Sequence, residues 1–242
     1  MLVRTSPSPL TMSAPLFIAN AFTTDAYGGN PAALVLVDEF PESQTMGKIA
    51  ANLNQPMTAF LRPTSTIASD AASASYDVRW HTPTKEVPIC GHATLASSGI
   101  LFSEPSLLPS SVASITYRTA QGAELTARKD GDWVEITLPA TAMHPPSPDE
   151  EEKIKAVLCK ALGEDAQIAY IGIGGAGFEH YMMVEVDEEY NLGGRDVNFE
   201  ALVSFSRSIS LSEPQITTSP FSGSWLRRYS LTLSPQNLRR LA

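Results

Sequence analysis

The turn Cys90-Gly91-His92 brings more chemistry into a shorter space than any other stretch of this chain. A thiol carries a proton or attacks as a thiolate, and an imidazole holds or moves a proton near neutral pH. The turn precedes Ala93-Thr94-Leu95-Ala96 and a run in which Leu95, Gly99 and Phe102 recur about a turn apart, so the spacing predicts a helix from Gly91 onward. Pro83 and Pro88 keep the preceding segment out of that helix. A helix start offers unpaired N–H groups and the positive end of its dipole, which favour a bound carboxylate and a thiolate at Cys90. A second reading of the same residues stays open, in which the Cys is a small buried hydrophobe and the His a structural group.

The elements that must position this turn are legible around it. Tyr76, Val78 and Trp80 alternate with Asp77 and Arg79, giving a strand over Tyr76–Trp80 with one apolar face. Leu16–Phe22 and Ala32–Val37 read as strands joined by a loop containing Gly28-Gly29-Asn30, either a turn beside a site or an ordinary connection. Met46, Ile49, Ala50 and Leu53 define a helix that starts at Ser43 and ends near Pro56. Strands over Val112–Tyr117, Glu124–Arg128 and Trp133–Leu138 complete a first lobe, and the proline-rich stretch 139–148 reads as a linker. In the second lobe, Asp149 caps a helix with the apolar stripe Ile154, Val157, Leu158 and Leu162, stopped by Gly163, with Cys159 packed beside the stripe. Strands over Ile168–Ile173 and Tyr181–Val186 flank a glycine-rich run. Its Gly-x-Gly-Gly-x-Gly spacing leads into a strand, which argues against a dinucleotide site. A helix over Phe199–Ser208 and a strand over Gln215–Thr218 follow.

Composition bounds the function. At 242 residues and 43% hydrophobic, the chain can furnish substantial cores. Its formal charge of −9, from 17 basic and 26 acidic side chains, argues against nucleic-acid and anionic-membrane surfaces. Two cysteines do not make a disulfide scaffold, nor do they form a metal-spaced cluster with the four histidines, so a reducing, cytoplasmic interior is expected. No apolar run reaches the roughly 18–20 residues that span a bilayer. Residues 1–15 lack the apolar core of a secretory signal and are expected to be a disordered leader.

Two blocks carry a family resemblance. Trp80-His81-Thr82-Pro83 with Glu86-Val87-Pro88-Ile89-Cys90-Gly91-His92-Ala93-Thr94-Leu95-Ala96 resembles the signature of the phenazine-biosynthesis (PhzF-like) isomerases, usually Trp-Phe-Thr-Pro followed by Glu-Val-x-Leu-Cys-Gly-His-Ala-Thr-Leu-Ala. Asn20-Ala21-Phe22-Thr23 and Gly29-Asn30-Pro31-Ala32-Ala33 are similar to the family's opening, and weaker similarity runs from about Leu16 to about Thr218. The resemblance implies an α+β, diaminopimelate epimerase-like fold of two lobes, each a curved, mostly antiparallel sheet around a central helix. The lobes would be 16–138 and 149–218, the second incomplete, followed by an atypical tail at 219–242 that lacks the family's Glu-Asp-Pro-x-Thr-Gly-Ser-Ala-His signature.

The same resemblance implies an activity: proton transfer on a small carboxylate-bearing metabolite, with no cofactor and no metal, in a protein that often pairs with a second copy. The carboxylate would rest on Gly91, Ala93 and Thr94, with Asn30 at the rim. The family's proton-moving Glu sits in Asn-Leu-Ser-Glu-Thr-(Ala/Thr)-Phe, and here Met57 of Asn54-Gln55-Pro56-Met57-Thr58-Ala59-Phe60 takes its place. A thioether neither accepts nor delivers a proton, and a register slipped by two offers Gln55, also no base. Catalysis would then fall to Cys90 and His92; the alternatives are a ligand-binding protein without turnover and an incomplete gene product.

Overall fold

The computed structural model describes residues 13–23, 27–139, 141–190, 195–202, 208–212, 229–232 and 238–240. The chain divides into two units, one formed by residues 1–139 with 226–242 and the other by 140–225.

Alternating burial builds the first hairpin. β1 (Leu16–Ala21) and β2 (Asn30–Leu36) pair antiparallel, from Leu16 opposite Val35 to Ala21 opposite Asn30. The connection closes at Gly29, whose φ of +78° is left-handed and whose position leaves no room for a side chain: a Cβ there would lie 2.2 Å from the Ala21 carbonyl oxygen. Helix α1 (Ser43–Leu53) buries Met46 and Ala50 and ends at Asn54 in the left-handed conformation. It leads to β3 (Thr58–Pro63), a strand parallel to β2 that the sequence pattern does not announce. β3 is buried on both faces, so its apolar residues run continuously and lack the period-two signal. β4 (Ser73–His81) pairs with β3 and with the two-residue β5 (Glu86–Val87). Then come helix α2 (Gly91–Ser103), β6 (Ser114–Thr119) parallel to β4, and the meander of β7 (Glu124–Asp130) and β8 (Trp133–Thr137).

The two helices lie on opposite faces of this sheet. Val35 and Phe60 pack with Met46 of α1, whereas their neighbours Leu34, Ala59 and Leu61 belong to the cluster around α2. Every residue of α2 from Ala93 to Leu101 is buried. The helix touches β1, β2 and β3 as well as β7 and β8, so the mixed sheet curls around it. Ala93, Ala96, Ser97, Ser98 and Gly99 keep α2 thin enough to be enclosed. Two of its hydroxyls are turned back on the backbone: Thr94 Oγ1 donates to the Cys90 carbonyl at 2.6 Å and Ser98 Oγ to the Thr94 carbonyl at 2.7 Å, whereas Ser97 Oγ is buried without a hydrogen-bond partner. Ser98 Oγ also lies 2.8 Å from the Tyr117 hydroxyl.

In the second unit, the expected linker contains a short strand, β9 (Met143–His144). Helix α3 (Pro148–Leu162) begins one residue before the expected Asp149 cap, because Pro148 has the φ of a first helical residue and needs no N–H partner there. Asp149, Glu150 and Glu151 occupy its first turn, and Ile154, Leu158 and Leu162 its buried stripe. Cys159 is exposed: it follows Leu158 off the stripe, correcting the expectation that it packs. β10 (Ile168–Gly174) and β11 (Tyr181–Val186) form an antiparallel hairpin across the glycine-rich turn. Of the expected helix over Phe199–Ser208, α4 (Phe199–Leu202) is seen, 203–207 lie outside the described residues, and Ser208 opens β12 (Ser208–Ser212), parallel to β11. The strand expected over Gln215–Thr218 and the leader's residues 1–12 lie outside the described residues.

The chain then returns to the first unit. β13 (Tyr229–Thr232) pairs with β8 and β14 (Leu238–Arg240) with β1, so these parts of the expected tail join the first sheet. The result is an α+β architecture whose first sheet is mixed and curled.

Gly29 supplies a test of how the β1–β2 connection is held. Gly29→Ala meets both a left-handed backbone and the Ala21 carbonyl, whereas Gly122, at φ +82°, has nothing within 4 Å of its would-be Cβ. Gly122→Ala should cost about 1–2 kcal/mol, the backbone penalty alone, and Gly29→Ala roughly 1–2 kcal/mol more. Urea unfolding of both variants checks the difference.

Candidate functional site

The Cys90-Gly91-His92 turn sits where extended chain becomes enclosed helix. Cys90 occupies the position before α2 with φ −149° and ψ 111°, and its carbonyl accepts the first helical bond from Thr94 N at 3.2 Å. Its Sγ lies 3.3 Å from His92 Nδ1, and the backbone N–H groups of His92 and Ala93 favour charge on the sulfur. A Cβ on Gly91 would stand 3.1 Å from Leu138 Cδ1, which closes the turn against the end of the β-meander. Ala93 and Thr94 are buried, and the Thr94 hydroxyl is committed to the Cys90 carbonyl.

Two effects compete at the thiol. The helix start favours the thiolate, but such a terminus contributes about 0.3–1 kcal/mol, less than one pKa unit. Cys90 is only 7% exposed, and burial pushes its thiol up to about 11, against the opposing pull of the Ala93 and His92 amides. This corrects the expectation of a favoured thiolate. Burial likewise holds the His92 imidazole below its ordinary value, the Pro31 carbonyl opposing in part. At neutral pH the pair is therefore a thiol and a neutral imidazole. If Sγ–H donates to Nδ1, the ring proton is on Nε2; if Nδ1–H donates to sulfur, Nε2 is a free base. His92 Nε2 is buried without a hydrogen-bond partner, although the Pro31 carbonyl acts on the ring.

The other sequence-derived residues gather at the same end of the sheet. Asn30 opens β2, and the Pro31 carbonyl that follows acts on the His92 ring. Met57 precedes β3; its carbonyl accepts from Ala33 N at 2.9 Å and its side chain joins the core around α2. Gln55 Nε2 donates to the Leu53 carbonyl at 3.1 Å, a helix-end role. Missed from the sequence were Arg79, His81 and Glu86. Arg79 and Glu86 form a two-pronged pair at 2.7 and 2.5 Å, and His81 Nε2, buried and without a hydrogen-bond partner, lies 3.7 Å from Glu86 Oε2. The signal available was His81 standing where the resembling sequences have Phe. Among the described residues no group of three His, Cys, Asp or Glu could hold a metal ion, and no helix is long and apolar enough to cross a membrane.

The shifts at Cys90 and His92 make opposite predictions for stability. Between about pH 9 and 11 the folded chain keeps a thiol proton that the unfolded chain releases, so this contribution is whole below pH 9 and is lost as pH rises through 11. Its size is about 2–3 kcal/mol. The His92 contribution is whole above about pH 6.5 and is lost as pH falls through the depressed folded value. Urea midpoints measured against pH should show a shallower alkaline limb in Cys90→Ala and a shallower acid limb in His92→Gln. Tyr76, pushed up to about 12 by burial, keeps part of the alkaline limb in the first variant.

Comparison with known proteins agrees with this architecture. A family model described as "Phenazine biosynthesis-like protein" matches residues 19–234, past Thr218 and into the expected tail. A phenazine biosynthesis-like domain-containing protein of Bos taurus is 40% identical over 64% of this chain and 53% of its own length. An uncharacterized isomerase of Halalkalibacterium halodurans is 34% identical over 79% of this chain and 64% of its own. The chain thus spans about half to two thirds of the length of these relatives. A crystal structure of a PhzF-family protein from Enterococcus faecalis superposes with a TM-score of 0.60 at 25% identity, covering 84% of this chain and 70% of that one. The chain belongs to the phenazine biosynthesis-like (PhzC-PhzF) family and has that family's diaminopimelate epimerase-like fold.

Proposed function

We propose that this protein is a cofactor-independent isomerase or epimerase that binds a small carboxylate-bearing metabolite at the start of α2 and moves a proton with His92. The observation that carries the reading is the Cys90 Sγ–His92 Nδ1 contact of 3.3 Å at a helix start, with His92 Nε2 buried and without a hydrogen-bond partner. Neutral imidazole is the base: it takes a proton α or vinylogous to a carbonyl, and the enolate-like charge is stabilised by oriented N–H donors in a site that excludes water. Cys90 acts as a neutral partner that sets the tautomer of the ring. Similarity to a relative named an isomerase supports the reaction class. A cytoplasmic location and pairing of two copies belong to the same reading.

A second reading has its own support. Met57, which cannot carry a proton, stands at the position of the family's Glu, and burial pushes the Cys90 thiol up to about 11, so neither serves as a base at neutral pH. The protein would then hold a small acid without turning it over.

Deuterium incorporation into a panel of amino and hydroxy acids in heavy water separates the two. Under the first reading, exchange is lost in His92→Ala and falls at least tenfold in Cys90→Ala; exchange indifferent to His92 refutes it. Stabilisation against heat by a small acid, with no exchange, establishes the second. Met57→Glu is the complementary variant. A general base contributes roughly 10²–10⁴-fold, so exchange should rise at least tenfold at some cost in melting temperature, because the new carboxyl is buried.

A further inference from the structure

One carboxylate ties together three elements that lead into the site. Glu86, the first residue of β5, receives Arg79 Nε on Oε1 at 2.7 Å and Arg79 Nη2 on Oε2 at 2.5 Å. Ser43 Oγ, at the first residue of α1, donates to the same Oε2 at 3.2 Å and accepts from Arg79 Nη2 at 3.2 Å. The guanidinium also stands 5.9 Å over the Phe40 ring. β5 itself is only two residues long, paired to β4 through Trp80 opposite Val87 and His81 opposite Glu86. Only Pro88 and Ile89 separate it from Cys90, and Pro88 has no N–H with which to anchor the segment.

We propose that Glu86 is a positioning residue: gripped by Arg79 and Ser43, it holds β5 in register and thereby sets Cys90 and His92 at the mouth of α2. A short strand followed by proline has few backbone bonds of its own, so the paired hydrogen bonds of a guanidinium fork supply the geometric constraint. His81 Nε2, 3.7 Å from Glu86 Oε2, is beyond hydrogen-bond reach and touches the carboxylate through charge alone, so it adds no directional grip to the fork.

This inference rests on the reading of the Cys90 turn as the functional site, but its test needs no turnover. In a Cys159→Ser background, which removes the exposed thiol, the rate of Cys90 alkylation by iodoacetamide is followed against pH. The buried thiol at about 11 is on the order of 0.1% thiolate at pH 8; one released toward the ordinary value of 9 is about a hundredfold richer. Glu86→Gln, and independently Arg79→Lys, should raise the pH 8 rate at least tenfold and move the alkylation profile to lower pH while unfolding stays cooperative. The double variant should show no further increase, since both changes break one fork. His81→Phe should leave the profile unchanged. Wild-type rates in Glu86→Gln and Arg79→Lys, additive effects in the double variant, or an equal rise in His81→Phe would each overturn the proposal. If the fork variants behave as expected but no acid exchanges or stabilises the protein, the positioning stands and the functional reading fails.

Discussion

Enclosure of α2 is the constraint on which the first unit depends. A helix buried from Ala93 to Leu101 has no face that tolerates solvent, so its stability comes from the strands closed around it. That demand explains its composition: residues small enough for strands to approach from several sides, with the Thr94 and Ser98 hydroxyls bonded to the helix's own carbonyls and Ser98 also to Tyr117. It also explains the parallel β4–β6 pairing, since the chain must leave the sheet, run down the enclosed space and re-enter beside the strand it left.

The same enclosure sets the electrostatics of the turn at the helix mouth. Desolvation acts over several pKa units whereas a helix terminus acts over less than one, so a cysteine drawn into the apolar interior becomes a weak acid despite its favourable address. Histidine responds in the other direction and stays neutral. The site thus favours chemistry in which neutral groups exchange a proton, and disfavours attack by a thiolate.

Much of this was readable from residues. The periodicity of Met46, Ile49, Ala50 and Leu53 announced α1, and the Cys90-Gly91-His92 turn with its small-residue run announced α2. β3 escaped because a strand buried on both faces shows no alternation, and β9 because two residues among prolines carry no pattern. At the site, residue types and their placement at a helix start were legible, but the sign of the thiol shift was not. It depends on how many strands close over Cys90, which is a property of the folded sheet. Arg79 and Glu86 looked like ordinary polar positions of β4 and β5 because their pairing needs the 79–86 turn to be known.

The two parallel pairs, β2 with β3 and β4 with β6, have a stereochemical corollary. Both crossovers step the same way across the sheet, but β4 runs antiparallel to β3 and therefore to β2. Two connections of equal hand that advance in one direction from oppositely directed strands must pass over opposite sides. Chain chirality alone therefore assigns α1 and α2 to different sides, and a mirror-related arrangement in which both helices shared the concave side would require one left-handed crossover.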